Sequence, residues 1–298
     1  MLRFGLVGTG YWARAVHGRA LADSSEVELV GVWGRDGGRT ATTAAELGTK
    51  AFGELDELLG VVDGLAFAVP PHVQAPIATE AARLGKHLLL EKPTAISTAE
   101  AEALADAAEK AGVATVVFFT WRFMPAVRDW LAEVSRLGWQ GGWARFVGAA
   151  FAPGSPFDTP WRSEKGGLWD LGPHALAVLV GALGRVTAVD AAAGLGDYVD
   201  LVLAHESGAS SSSTLTISAP KAGENEEVGL WGEAGRTLMP NPPRDNPVLS
   251  GIALHELVVA AESGTSHPLG ARFGADVVAV LAEAERRLAA AGPQPAGG

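Results

Sequence analysis

Cysteine is absent from the 298 residues. Its absence removes disulfides, thiolate metal sites and thiol nucleophiles. Basic residues are in deficit: 23 Lys and Arg against 34 Asp and Glu leave a net charge of −11. Nucleic acid and an anionic membrane both need a basic face, so neither is expected as a partner. A local arginine can still hold an anionic cofactor. No uninterrupted apolar run has the length of a bilayer crossing. Residues 2–7 read as strand from the outset, which leaves no room for a signal peptide. Metal-ligand spacing is missing as well, because the seven His are scattered and none is placed to join His174. Nearly half the residues are apolar, and the chain is long enough for two cores, so it reads as a soluble, cytoplasmic protein of two domains.

What is present begins at the amino terminus. Leu2–Val7 reads as a buried strand that enters Gly8-Thr9-Gly10-Tyr11-Trp12-Ala13 and then a helical pattern to residue 22. This is the phosphate-binding turn of a dinucleotide fold. Gly8 permits the sharp turn, Gly10 keeps side-chain atoms away from a diphosphate, and Ala13 lets helix and strand pack closely. The helix N-terminus then favours the negative charge. Strands at 28–33, 65–69, 87–90 and 114–119 alternate with helices at 37–47, 73–84 and 97–111. Such alternation predicts a parallel sheet covered on both faces. Ser97-Thr98-Ala99-Glu100 is a capping box that starts the last of these helices.

Beyond residue 120 the pattern changes. A helix is expected near 125–137, a strand at 143–151, a Pro/Gly-rich loop over 152–167 and a helix at 171–182. Strands near 185–195, 197–205, 209–219 and 226–232 follow at short spacing, which favours antiparallel pairing. Ser211, Ser213, Leu215 and Ile217 share one parity, making that face partly apolar. Residues 237–251 read as loop, 252–263 and 271–291 as helices, and the tail from Gly292 as disordered.

Three clusters carry chemistry besides the glycine turn. Val69-Pro70-Pro71-His72 and Glu91-Lys92-Pro93 each end a strand, where ligands of open α/β sheets sit. Lys92 also fits a plain solvated lysine beside a structural proline. In Gly166-Gly167-Leu168-Trp169-Asp170-Leu171-Gly172-Pro173-His174, Asp170 and His174 lie four apart at the start of a predicted helix. A His oriented by a carboxylate is a usable proton carrier near neutral pH. The same residues fit a structural reading, in which Asp170 caps the helix, Pro173 fills its first turn and His174 packs.

The succession Gly8-x-Gly10-x-x-Ala13, Pro70-Pro71, Glu91-Lys92-Pro93 and Asp170-x-Gly172-x-His174 resembles the Gfo/Idh/MocA oxidoreductases, named after glucose–fructose oxidoreductase and inositol dehydrogenase. Gly85-Lys86-His87, Arg122-Phe123-x-Pro125-Ala126, Trp161-Arg162 and Leu230-x-Gly232-x-x-Gly235 stand in the same order as in that family. The resemblance implies an α/β chain with a Rossmann domain over 1–120. Over 121–298 it implies an α+β domain with an open, mostly antiparallel sheet. It also implies an active site between them and a homodimer or homotetramer formed through the second sheet. Lys92 then polarises the reacting oxygen, His174 exchanges the hydroxyl proton, and Asp170 binds a substrate hydroxyl and orients the pair. Trp121, Arg122, Trp161 and Arg162 are candidates for the substrate side, although surface charge and core tryptophan explain them equally. Two departures stand out: Glu164 and Lys165 replace glycines usual before the Asp, and Gln74 replaces a His usual after the Pro pair.

The implied activity is hydride transfer between a nicotinamide and a hydroxyl or carbonyl carbon of a sugar, polyol or related small polar metabolite. One rival is a reductase of an imine or a cyclic unsaturated substrate. Another is a non-catalytic NAD(P)-binding regulator, against which the presence of Lys92, Asp170 and His174 argues. Cofactor choice rests on Gly34-Arg35-Asp36. NAD sites commonly place a carboxylate at the Gly34 position, whereas Arg35, aided by Arg39, suits a 2′-phosphate, so NADP is favoured over NAD. Asp36 is the counter-evidence.

Overall fold

The structure is a computed structural model and describes residues 1–291. Its first six strands are β1 (Leu2–Val7), β2 (Val27–Trp33), β3 (Lys50–Phe52), β4 (Gly64–Phe67), β5 (His87–Leu90) and β6 (Thr115–Val117). They form one parallel sheet in the order β3-β2-β1-β4-β5-β6. This is the doubly wound order, with its switch point between β1 and β4. The strands are apolar because both faces are covered: Phe4, Leu6, Val7, Leu65, Phe67 and Leu88–Leu90 are wholly buried. After β1, a π-helical turn at Ala13–His17 runs into α1 (Gly18–Ala22). The other covering helices are α2 (Gly37–Glu46), α3 (Leu55–Leu59), α4 (Pro71–Arg83) and α5 (Thr98–Ala111). Ser97 caps α5: its Oγ accepts from the Glu100 amide at 3.3 Å and donates to Glu100 Oε2 at 2.8 Å. β3 and α3 have no counterpart in the sequence reading, because three and five residues are too short to show a period.

A second set comprises α6 (Pro125–Val134), β7 (Trp139–Val147), α7 (Pro160–Asp170), α8 (Gly172–Leu183), β8 (Val186–Ala193), β9 (Val199–His205), β10 (Ser210–Thr216), β11 (Asn225–Gly232) and β12 (Gly235–Leu238). Its sheet runs β12-β11-β7-β10-β9-β8. Every pairing is antiparallel except β10 with β7. Ser211, Ser213, Leu215 and Ile217 are buried, as their shared parity requires. Two more helices, α9 (Asn246–Ser263) and α10 (Ala271–Ala291), end the described chain.

Several expectations are corrected. β7 starts at Trp139 rather than 143, since Gly141 and Gly142, which resemble breakers, lie inside the strand. A Cβ on Gly141 would come within 2.6 Å of the Trp231 ring, and one on Gly142 within 2.8 Å of the Gly229 carbonyl. The loop expected over 152–167 is helical from Pro160, because proline is favoured in a first helical turn. Residues 237–251 hold the end of β12 and the first turn of α9, which Asp245 caps through its bond to the Val248 amide. Asp170 and His174 do not share the start of one helix. Asp170 closes α7, His174 lies in the first turn of α8, and Leu171 between them is the joint. The stretch Pro160–Leu183, 24 residues, is by length and composition capable of crossing a membrane, yet 72% of its apolar window is buried inside the protein, as for a core helix.

A single cut after residue 120 does not describe the packing. Met1–Phe123 and Arg244–Val278 form one compact unit, and Met124–Pro243 with the chain from Ala279 forms the other. The return of 244–278 has a simple cause, since α9 packs on α1, β5 and β6. The tail expected to be disordered from Gly292 lies outside the described residues.

Candidate functional site

In the first unit the residues singled out by sequence gather at the carboxyl edge of the parallel sheet. β1 ends at Val7, and the Gly8 amide donates to the Trp33 carbonyl at 2.9 Å. Gly8 has φ 130°, and a Cβ there would lie 2.4 Å from the Ala68 carbonyl oxygen, so only glycine fits. At Gly10 nothing stands within 4 Å of the Cβ direction, which leaves open ground over the turn. Ala13 is fully buried, and the helix ladder begins where the Arg14 amide donates to the Gly10 carbonyl at 3.1 Å. Open ground at a helix N-terminus suits a diphosphate. Thr9 and Trp12 flank the turn half-buried, and Tyr11 is exposed.

At the end of β2 an acid in place of Gly34 would require Thr9 to move. A Cβ on Gly34 would meet Thr9 Cγ2 at 2.7 Å and Thr40 Oγ1 at 3.1 Å. Arg35 is exposed. Asp36 is engaged: it accepts from the Arg39 amide at 2.9 Å as the N-cap of α2, and Arg39 Nε stands 3.5 Å from its other oxygen. The backbone hydrogen bond from Arg39 holds the Asp36 carboxyl below its ordinary range.

Beyond β4, Val69 and Pro70 lead into α4, whose first turn holds Pro71 and an exposed His72. Gln74 is fully buried and grips the next strand end. Its Oε1 accepts from the Glu91 amide at 2.8 Å. Its Nε2 donates to the Glu91 carbonyl at 2.7 Å and reaches those of Pro93 and Thr94 at 3.3 Å. The glutamine thus fixes the turn from which Lys92, half-buried, projects. The Lys92–Pro93 peptide is cis. Glu91 turns inward, with Oε1 accepting from Trp12 Nε1 at 2.5 Å and facing His17 Nε2 at 2.7 Å. Trp121 and Arg122 follow β6 in a 3₁₀ turn; Trp121 is buried, with the Arg244 guanidinium 4.4 Å from its ring.

In the second unit, Asp170 and His174 are both buried, at 7% and 5% exposure. Arg162 Nε donates to Asp170 Oδ2 at 2.9 Å while its guanidinium lies over the rings of Trp161 and Phe157. Arg162 therefore orients the carboxylate. Lys165 reaches Glu285 at 3.1 Å, and Glu164 is exposed. Gly166 breaks the helical path (φ 63°, ψ −165°), and Asp197 holds that break. Its Oδ2 accepts the amides of Gly167 and Ile217 at 2.8 and 2.9 Å, and its Oδ1 accepts the hydroxyls of Thr216 and Ser218. Burial pushes the Asp197 carboxyl up, but these four donors outweigh it and hold the group below its ordinary range.

His17, Ser250 and Asp197 carry no motif and escape sequence reading; only the position of His17, one helical turn after Ala13, offers a signal. No cluster of three or more metal-binding side chains occurs among the described residues.

Comparison with known proteins agrees with this layout. Residues 2–119 match the oxidoreductase family of NAD-binding Rossmann fold, GFO_IDH_MocA. Glucose-6-phosphate 3-dehydrogenase of Bacillus subtilis (strain 168) is 35% identical over 127 residues, 43% of this chain and 36% of that protein. UDP-N-acetylglucosamine 3-dehydrogenase of Acidithiobacillus ferrooxidans is 33% identical over 127 residues, 43% of this chain and 40% of that protein. These matches thus span about two-fifths or less of the relatives' own length. In fold, the crystal structure of GenD2 from gentamicin A biosynthesis in complex with NAD superposes with a TM-score of 0.85 at 23% identity, covering 98% of this chain and 95% of that one. Residues 2–119, whose strand ends carry the glycine turn and the Glu-Lys-Pro step, are thus similar to the NAD-binding Rossmann domain of the Gfo/Idh/MocA oxidoreductases.

Proposed function

We propose that the chain is an NAD(P)-dependent oxidoreductase that moves a hydride between a nicotinamide and a hydroxyl or carbonyl carbon of a sugar, polyol or related polar metabolite. The observation that carries this reading is a shared sheet edge: the Gly8–Ala13 turn, Gly34–Arg35, Val69–His72 and Glu91–Lys92 follow β1, β2, β4 and β5 of one parallel sheet. The relatives' names, both dehydrogenases of sugar derivatives, supply the substrate class. When bound, the dinucleotide supplies the hydride acceptor or donor.

The residues divide the remaining work. The Lys92 ammonium holds the reacting oxygen and stabilises alkoxide charge as it develops. The His174 imidazole takes the hydroxyl proton in oxidation and returns it in reduction. Asp170 binds a neighbouring substrate hydroxyl, and Arg162 holds that carboxylate in place. Trp121, Arg122 and Trp161 serve the substrate side. NADP is the preferred cofactor. No side chain fits at Gly34 without displacing Thr9, Asp36 is occupied in capping α2, and the exposed Arg35 can clamp a 2′-phosphate.

The second sheet forms the contact between copies. On its open face Trp143 lies over Gly229 and Trp231 over Gly141, giving two flat aromatic plates, with Val202 exposed beside them.

The test is fluorescence titration with NADPH and NADH, followed by absorbance assays against aldoses, sugar phosphates, nucleotide sugars and inositols in both directions. Turnover of a member of that panel supports the reading. Dinucleotide binding with no turnover across it refutes the enzymatic part.

A further inference from the structure

The mechanism leaves one buried cluster unused. His17 is wholly buried, 5.2 Å edge-on from the Phe118 ring, and both of its nitrogens are engaged. Nδ1 lies 2.7 Å from Ser250 Oγ, itself wholly buried in α9, and Nε2 lies 2.7 Å from Glu91 Oε1. The same Glu91 oxygen accepts the Trp12 indole N–H at 2.5 Å, while Oε2 accepts the Lys92 amide at 3.2 Å. An indole only donates, so Oε1 is an acceptor and the imidazole donates to it through Nε2. The Ser250 hydroxyl, able to act either way, serves the other nitrogen. One carboxylate thereby ties the phosphate turn, through Trp12, to the strand end that carries Lys92.

We infer that His17 is a positioning residue for both halves of the dinucleotide site. Through Glu91 it fixes the indole beside the glycine turn and the backbone from which Lys92 projects. This rests on the proposed dinucleotide chemistry for its kinetic consequence but not for its structural one. Without the imidazole donor, Glu91 keeps its carboxylate in a buried place with a donor missing, and the rotamer that serves Trp12 is no longer held.

Two variants of the full chain separate positioning from mere filling. In His17→Gln the amide nitrogen sits where Nε2 was and still reaches Glu91; in His17→Asn it sits where Nδ1 was and reaches only Ser250. His17→Gln should keep kcat and dinucleotide affinity within about threefold, whereas His17→Asn should lose about tenfold or more in kcat, at similar thermal midpoints. A readout independent of turnover is the indole N–H resonance of Trp12 in labelled protein, assigned with Trp12→Phe. It should exchange slowly in the wild type and in His17→Gln, and shift with faster exchange in His17→Asn. Equal losses in both variants, or an indole proton that exchanges in the wild type as fast as an exposed one, overturn the inference. A wild type that turns over no sugar would sink the proposed function while leaving the indole measurement decisive for His17.

Discussion

Asp197 offers the most quantitative test of the second unit. Its carboxylate collects two amides and two hydroxyls across the break at Gly166. Replacement by alanine orphans the amides of Gly167 and Ile217. Each orphaned donor costs about 1–3 kcal/mol when buried; since the site is half-exposed and water reaches part of it, the low end applies, about 2–4 kcal/mol together. Asparagine should cost less, about 1–2 kcal/mol, because its oxygen can serve the amides while its NH₂ donates to hydroxyls that rotate into acceptors. For a chain of this size the alanine change corresponds to a midpoint lowered by about 3–6 °C. The pH dependence has a fixed sign. The folded-state carboxyl titrates below its unfolded value. Its stabilisation is therefore complete above the unfolded value and disappears as pH falls through the folded one. Calorimetry of wild type, Asp197→Asn and Asp197→Ala should show gaps that are full at about pH 7 and narrow as pH drops below about 4, where the neutral carboxyl still accepts the amides but loses its charge-assisted bonds. Gaps that stay constant down to that acid limit, or an alanine variant that melts with the wild type at neutral pH, would refute the assignment of these bonds. Since Gly167 lies three residues before Asp170, the alanine variant should also lose kcat while NADPH affinity stays near normal.

Lys92→Ala should cut turnover by at least about a hundredfold with dinucleotide affinity changed only a few-fold, because the ammonium acts mainly on charge that develops in the transition state; stopped-flow turnover beside equilibrium titration separates the two. Arg35→Ala should raise the NADPH dissociation constant by about tenfold and leave NADH nearly unchanged, and equal losses for both would refute the 2′-phosphate assignment. If copies associate through this face as proposed, Trp143→Lys with Trp231→Lys should shift sedimentation toward monomer in analytical ultracentrifugation, and an unchanged sedimentation coefficient would rule this face out.

The first sheet was legible because its strands are apolar on both faces and its turns carry glycine or proline at fixed places. His87–Leu90 is found where its apolar run stands, and Ser97–Glu100 caps the helix it announces. Legibility failed where a residue type has two uses. Gly141 and Gly142 stand before the strand expected from 143, yet they are strand glycines whose missing side chains make room for Trp231 and for the neighbouring strand's backbone. Pro160 reads as loop but begins a helix. The division of the chain was hidden for a different reason. Nothing in the local pattern of 244–278 says which sheet it covers, and only the burial of α9 against β5 and β6 decides it.

The site divides along the same line. Residues whose role depends on their own backbone, such as Gly8 and Pro71, announce themselves by type and spacing. Residues whose role depends on a distant partner do not. Arg162 reads as a candidate for the substrate side, and the fold also pairs its Nε with Asp170, eight positions on. Glu91 looked like a cofactor ligand because it stands beside Lys92, yet its partners come from positions 12, 17 and 74, and the imidazole between them is held by position 250. A buried carboxylate needs its donors wherever the fold can bring them, so its neighbours in sequence say little about which way it turns. The departure at Gln74 follows the same logic. A side chain that must donate to carbonyls and accept from an amide at once is served by a carboxamide, which carries both functions on one rigid plane. A neutral imidazole at that position donates from one nitrogen and accepts at the other across the ring, and so cannot close both bonds to the Glu91 backbone. The turn that presents Lys92 is accordingly fixed by Gln74, the residue that stands where the resemblance would place a His.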